Sequence, residues 1–374
     1  MSIRIKCPDS GLDKNERIIG LFDGIQEWLD SNAMKELVDL YGGMSAAFNG
    51  LGLKDKVDRL HRFACDNWDY RRQQREQNGM SGGLLERQKM REETFASEHS
   101  EIIMDAAVEL GLVDITEPVR RPDFILPLGG ARLTNYFRPL MARKVIDGYG
   151  WKDTDIQVVA LTGTRVLTDT DFPYLLEYEK QNNTNMALEH IGLELPEYDE
   201  RFVYRTESGQ KVYQLKVMTE FDAMNMGLEK AFGVSANCSG VYFRNENVYL
   251  DSEIRRYKDK YGQCSLYSMV ASSSDPENRR ANSMDTFEGF VSAFDVKECD
   301  RLLLVTSTIY VPFQSLKFYK LGIEGGFDVD CIGVDDSIEG SRFSNATNYM
   351  QETKATIDAI YGLSEMYSEY IEGM

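Results

Sequence analysis

Histidine is scarce in this 374-residue chain: only His61, His99 and His190 occur, and none lies beyond position 190. A histidine general base, or a zinc site with a histidine ligand, is therefore excluded from the C-terminal half. The six cysteines (Cys7, Cys65, Cys238, Cys264, Cys299, Cys331) are scattered, with no Cys-x-x-Cys pair and no cluster of cysteine with histidine expected. They read as small buried hydrophobes of a reducing compartment, and no metal ligand set is expected. Long apolar runs are also missing. Nothing approaches the roughly 20 residues that span a bilayer, and Met1–Asp13 carries no apolar signal core, so a cytoplasmic location without membrane contact is expected. Basic charge is short as well, with 42 Lys and Arg against 61 Asp and Glu and a net charge of −19. That balance repels a nucleic-acid backbone, and nucleic acid is not an expected partner. Neither GxGxxG nor GxxxxGK[ST] occurs, which disfavours a conventional dinucleotide or P-loop site.

What remains is ordinary globular composition, 42% hydrophobic and 28% charged, long enough for two domains. The periodicity divides near Pro118. Before it, Ile18, Ile19, Phe22, Ile25 and Leu29 recur at helical spacing, as do Val57, Leu60, Phe63, Ala64 and Trp68, and then Ile102, Ile103, Ala106, Ala107 and Leu110. These stripes predict an all-helical domain or cap over 1–118, and their number suggests a homodimer through this region. Beyond it, apolar runs at Phe124–Leu128, Ile156–Leu161, Ser265–Ala271, Leu302–Val305 and Val329–Val334 alternate with amphipathic segments. That alternation predicts an α/β domain over 119–374 with a mainly parallel sheet covered on both faces. The stretch 166–218 is too long for a simple crossover and predicts an inserted helix plus a hairpin of Phe202–Thr206 and Val212–Val217. Two helix starts are marked by Thr219 with Asp222 and by Asn282 with Asp285. A last helix over about 346–370 is expected to pack on the sheet.

Ligands of open parallel sheets bind beyond the carboxyl ends of the strands, where loops meet helix N-termini. Here four strand ends read Gly129-Gly130, Thr162-Gly163-Thr164, Ser272-Ser273-Ser274 and Thr306-Ser307-Thr308. Any one of them would serve as a helix cap; four together point to a polar cradle. Arg132, Arg165 and the Arg279-Arg280 pair follow three of these loops, which suits an anionic ligand such as a carboxylate or phosphate. The expected ligand-binding residues are Gly129, Gly130, Arg132, Thr162, Gly163, Arg165, Ser272, Arg280, Asn282, Ser307 and Tyr310. Glu220 and Asp285 are the candidate proton-transfer groups, each also explicable as a capping residue.

At these residues the chain resembles the YdcF-like family, which includes the SanA and ElyC envelope proteins. The motifs are Leu128-Gly129-Gly130, then Arg280-Ala281-Asn282-Ser283-Met284-Asp285-Thr286, then Val305–Gln314, with Glu220 at an acidic helix start ahead of Phe232-Gly233-Val234. The resemblance covers about 120–340 and implies a Rossmann-like doubly wound fold in a cytoplasmic branch that carries an additional N-terminal helical region. It also implies a nucleotide-like ligand such as S-adenosylmethionine. Tyr310 and Gln314 stand where the family has histidine and arginine, so chemistry that depends on that histidine would be absent or replaced. Two readings stay open: a transferase or hydrolase acting on an anionic, nucleotide-like substrate, and a ligand-binding or sensing protein without chemistry.

Overall fold

The computed structural model describes residues 2–79, 85, 90–113, 118, 120–130, 134–151, 155–163, 165, 203–205, 211–213, 219–234, 240–243, 252–257, 265–277, 279, 281–334 and 345–372. The chain begins with helices α1 (Lys14–Leu29), α2 (Asn32–Leu40), α3 (Leu53–Asn67), α4 (Tyr70–Gln77), α5 (Thr94–Glu98) and α6 (Ser100–Glu109). Asp13 starts α1 with a capping box closed by Glu16, satisfying amides the first turn leaves open. Of the predicted α1 stripe, Ile18, Phe22, Ile25 and Leu29 are buried, whereas Ile19 is exposed.

Strands and helices then alternate: β1 (Phe124–Pro127), α7 (Thr134–Gly148), β2 (Gln157–Thr162), the hairpin β3 (Val203–Arg205) and β4 (Lys211–Tyr213), α8 (Glu220–Phe232), β5 (Gly240–Phe243), β6 (Ser252–Tyr257), β7 (Ser265–Val270), α9 (Ser283–Ala293), β8 (Arg301–Ser307), a 3₁₀ turn (Thr308–Tyr310), α10 (Val311–Gly325), β9 (Asp328–Val334), α11 (Ala346–Met366) and α12 (Ser368–Ile371). The 203–213 hairpin is antiparallel, with Tyr204 opposite Val212; the predicted inserted helix lies outside the described residues.

Seven strands form one sheet in the order β5-β6-β7-β2-β1-β8-β9. The five from β7 to β9 pair in parallel, and β5 and β6 add an antiparallel edge. That edge escapes a search for apolar runs because β6 reads Ser-Glu-Ile-Arg-Arg-Tyr, half-buried along most of its length. A strand with one covered face needs only alternate apolar residues.

The parallel strands at the centre of the sheet are covered on both faces. Ile125, Val158, Ala160, Leu303 and Val305 pack with Tyr136, Phe137 and Val145 of α7 and with Met224, Leu228 and Phe232 of α8. Phe124, Leu126, Leu161, Leu302 and Leu304 point the other way, into Phe287 and Phe290 of α9 and Leu316 and Phe318 of α10. This second core continues without a break into Ile18, Phe22, Trp28, Leu60 and Trp68 of the N-terminal helices and Met350, Ile357 and Ile360 of α11. Each large side chain so buried is worth about 2–3 kcal/mol. Polar clasps reinforce the junction: the buried Arg17 donates to the carbonyls of Gly322 (2.9 Å) and Phe327 (2.8 Å), and Tyr319 donates to the carbonyl of Ile5 at 3.2 Å. Contrary to expectation, α11 packs chiefly on α3, α10 and α6, in the helical layer outside α10. Its mixed stripe suits helix neighbours on several sides. No helix among the described residues is long and apolar enough to cross a membrane.

Candidate functional site

Strands β1 and β8 lie side by side at the centre, with Pro127 opposite Val305. The chain leaves β1 toward β2 on one side and leaves β8 toward β9 on the other. Their carboxyl ends therefore diverge into loops that turn in opposite directions. The Gly129-Gly130 loop lies in this cleft under steric compulsion. A Cβ on Gly129 would come within 2.7 Å of both Cα and Oγ1 of Thr162. One on Gly130 would come within 2.7 Å of Thr134 Oγ1 and 3.1 Å of an Arg138 guanidinium nitrogen. At Gly129 the clash is with backbone, so only glycine lets β2 close on the β1 end, whereas at Gly130 the Thr134 and Arg138 side chains would have to give way.

Arg138 is the hub. It projects from α7, is 1% exposed, and donates to the carbonyls of Leu128 (2.6 Å) and Gly129 (2.7 Å) and to Ser307 Oγ (3.2 Å). One guanidinium thus ties the end of β1 to the end of β8. Asn135, one turn earlier, accepts from the Gly130 amide at 2.9 Å and donates back to the Gly130 carbonyl, which fixes the loop in both directions. Thr162 and Gly163 extend the cluster across β2. Glu220, first residue of α8, accepts from Arg165 Nε at 2.6 Å through Oε1, and its amide donates to the Arg165 carbonyl at 2.8 Å. Its other oxygen, Oε2, stands 3.5 Å from where a Gly163 Cβ would lie. Capping box and left-handed Gly233 hold this helix at both ends, as the sequence indicated. The hydroxyl oxygens of Thr162 and Thr306 are buried with no hydrogen-bond partner among the described residues. Such a group costs about 1–3 kcal/mol unless something supplies the bond.

Gly129, Gly130, Thr162, Gly163, Arg165, Glu220 and Ser307 thus lie in one unbroken chain of contacts. Arg132 and Arg280 lie outside the described residues. Arg138, Asn135 and Thr134 were missed, although Asn135 and Arg138 stand three apart on one helical face directly after the glycine pair.

Ser272, Asn282 and Asp285 belong elsewhere, at the end of β7. Ser272 Oγ is 2.7 Å from Ser252 Oγ, which fastens the edge hairpin. Asn282 caps α9, and Asp285 closes the box by accepting from the Asn282 amide at 2.7 Å. Asp285 also accepts from the Ser274 amide at 3.1 Å and is held bidentately by Arg279 at 2.5 and 3.0 Å. Burial pushes its carboxyl upward, but the Arg279, Ser274 and Asn282 hydrogen bonds outweigh that and hold it well below the usual carboxylate range. A carboxylate so committed is a poor proton shuttle, and the capping role accounts for it. Tyr310 closes the 3₁₀ turn after Ser307, half-buried against the helical core.

Residues 13–111, the span from α1 to α6, match the family described as the Rv3785 N-terminal domain. No curated protein and no solved structure matches the chain.

Proposed function

We propose that this protein binds an anionic, nucleotide-like small molecule in the cleft between the carboxyl ends of β1 and β8. In this reading the α/β region is Rossmann-like. Numbered along the chain, its five parallel strands run 3-2-1-4-5, the order of the doubly wound nucleotide-binding fold, and the cleft falls at its switch point. The observation that carries the proposal is the Gly129-Gly130 turn pinned between Thr162 and the buried Arg138. No Cβ covers these two residues, whose backbone is held by Asn135 and Arg138, so a ligand can come close to the turn beside a buried guanidinium. The Thr162 hydroxyl adds a hydrogen bond that nothing in its described surroundings uses. The YdcF-like resemblance adds S-adenosylmethionine to the ligands that fit: its carboxylate suits the arginines. Mass spectrometry of small molecules released from protein purified under native conditions tests the proposal. A phosphorylated or nucleoside-containing species retained by the wild type and lost from Gly130→Val is expected; equal retention by both would refute it.

Two uses of such a site are compatible with the chemistry. As a transferase or hydrolase, the protein would use Glu220, a carboxylate beside a guanidinium, as base or acceptor. As a sensor, it would pass ligand binding to the helical layer through the 3₁₀ turn, which α11 contacts directly. Tyr310 and Gln314, replacing the histidine and arginine of the family pattern, favour the sensor. Incubation of the wild type and Glu220→Gln with the recovered metabolite separates the two: conversion lost in Glu220→Gln means catalysis, and unchanged metabolite with both means sensing.

A further inference from the structure

We propose that His61, Cys65 and Asp358 form a binding site for a divalent transition metal of the zinc type, joining α3 to α11. His61 and Cys65 are one turn apart on α3, so both side chains leave the same face. Asp358 meets them from α11. One donor atom from each lies within 4.8 Å of the other two. His61 Nε2 is 3.5 Å from Cys65 Sγ and 3.2 Å from Asp358 Oδ1. Tetrahedral zinc, with bonds of about 2.05 Å to nitrogen, 2.1 Å to oxygen and 2.3 Å to sulfur, needs N···S and N···O edges of about 3.6 and 3.4 Å. These two edges fall within a few tenths of an ångström of those lengths, and the sulfur–oxygen edge is no longer than 4.8 Å.

Two further observations point to a ligand. Asp358 Oδ1 is a buried oxygen that meets His61 Nε2 at 3.2 Å but has no hydrogen-bond partner among the described residues. The donors are also held in place, the carboxylate by a hydrogen bond as metal-ligating carboxylates are. Asp358 Oδ2 accepts from Lys354 Nζ at 2.7 Å, which leaves Oδ1 toward the cluster. The His61 ring is stacked flat on Tyr361, centroids 4.1 Å apart and 8° from parallel, which fixes the direction of Nε2. A set of one imidazole, one thiolate and one carboxylate suits Zn²⁺ or Co²⁺ and leaves a fourth position for water. Zinc held there would clamp the N-terminal helices to the C-terminal helix, since its ligands come from both. The cluster is hidden in the sequence because Asp358 comes from the far end of the chain, and His61 with Cys65 alone reads as two unremarkable helix residues.

Co²⁺ serves as the probe. Titration of the reduced, metal-free full-length protein should give one equivalent of Co²⁺ with the visible absorption of a tetrahedral ion and a near-ultraviolet thiolate-to-cobalt band, both displaced by Zn²⁺. Cys65→Ser should abolish the charge-transfer band. His61→Ala and Asp358→Asn should each weaken binding at least about tenfold while far-ultraviolet circular dichroism stays unchanged. Absence of a tetrahedral spectrum, or a thiolate band that survives in Cys65→Ser, overturns the proposal.

Discussion

Replacing Arg138 by methionine tests whether one buried guanidinium holds the β1 and β8 ends together. Methionine keeps most of the stem and its packing but strips the donors from two carbonyls and a hydroxyl. Leaving those acceptors buried costs about 1–3 kcal/mol each. Part of that is recovered because the guanidinium no longer has to be desolvated. A net loss of about 3 kcal/mol is the reasonable sum. For 374 residues the unfolding entropy is about 0.8 kcal/mol per kelvin, so the melting temperature should fall about 4 °C. Differential scanning calorimetry reads this directly. Arg138→Lys should recover only part of it, because one ammonium cannot reproduce a planar fork bonded to two strand ends. A melting temperature within 1 °C of the wild type for Arg138→Met would show that the clasp contributes nothing and that the cleft is held by other means.

Gly129→Ala should destabilise by about 1–3 kcal/mol in urea titrations, because its Cβ meets backbone that cannot yield. Gly163→Ala, whose nearest neighbour is a carboxylate oxygen at 3.5 Å, should change the midpoint little; equal effects would mean the β1–β2 approach is looser than described. Asp285 has a depressed folded-state pKa, so its stabilisation is full above the unfolded value near 3.8 and fades as pH falls below that value. Asp285→Asn should therefore flatten the stability profile below about pH 4, and an unchanged profile would contradict the Arg279 pairing. Deleting residues 1–118 should leave an insoluble or molten remainder, because the outer side of α10 and the face of α11 lose the core they share with Trp28, Leu60 and Trp68. A cooperative melt of residues 119–374 alone would show the helical layer to be dispensable.

The elements were legible where one physical signal dominated. Strands β1, β2, β7, β8 and β9 are buried on both faces and so appear as apolar runs; the capping boxes at Thr219 and Asn282 identify two helix starts from three residues each. Strand β6 was hidden because it mixes charged and apolar residues, and β5, at four residues, is too short to stand out. The meeting of the strand ends was legible in Gly129, because the close backbone approach there leaves no room for a Cβ. It was not legible in Arg138, because an arginine inside an α/β helix ordinarily points to water, and only the fold shows this one turned inward beneath Gly130. Asp285 is ambiguous in the sequence, since a helix start fits both a cap and a catalytic acid, and its bidentate Arg279 and capping bonds favour the cap.

The most direct measurement is titration calorimetry of the wild type and Gly130→Val with pyrophosphate, AMP and S-adenosylmethionine. At least one should bind the wild type and bind Gly130→Val at least tenfold more weakly, with circular dichroism showing both folded. Binding of none of the three, or equal binding to both proteins, would contradict a ligand cleft between β1 and β8.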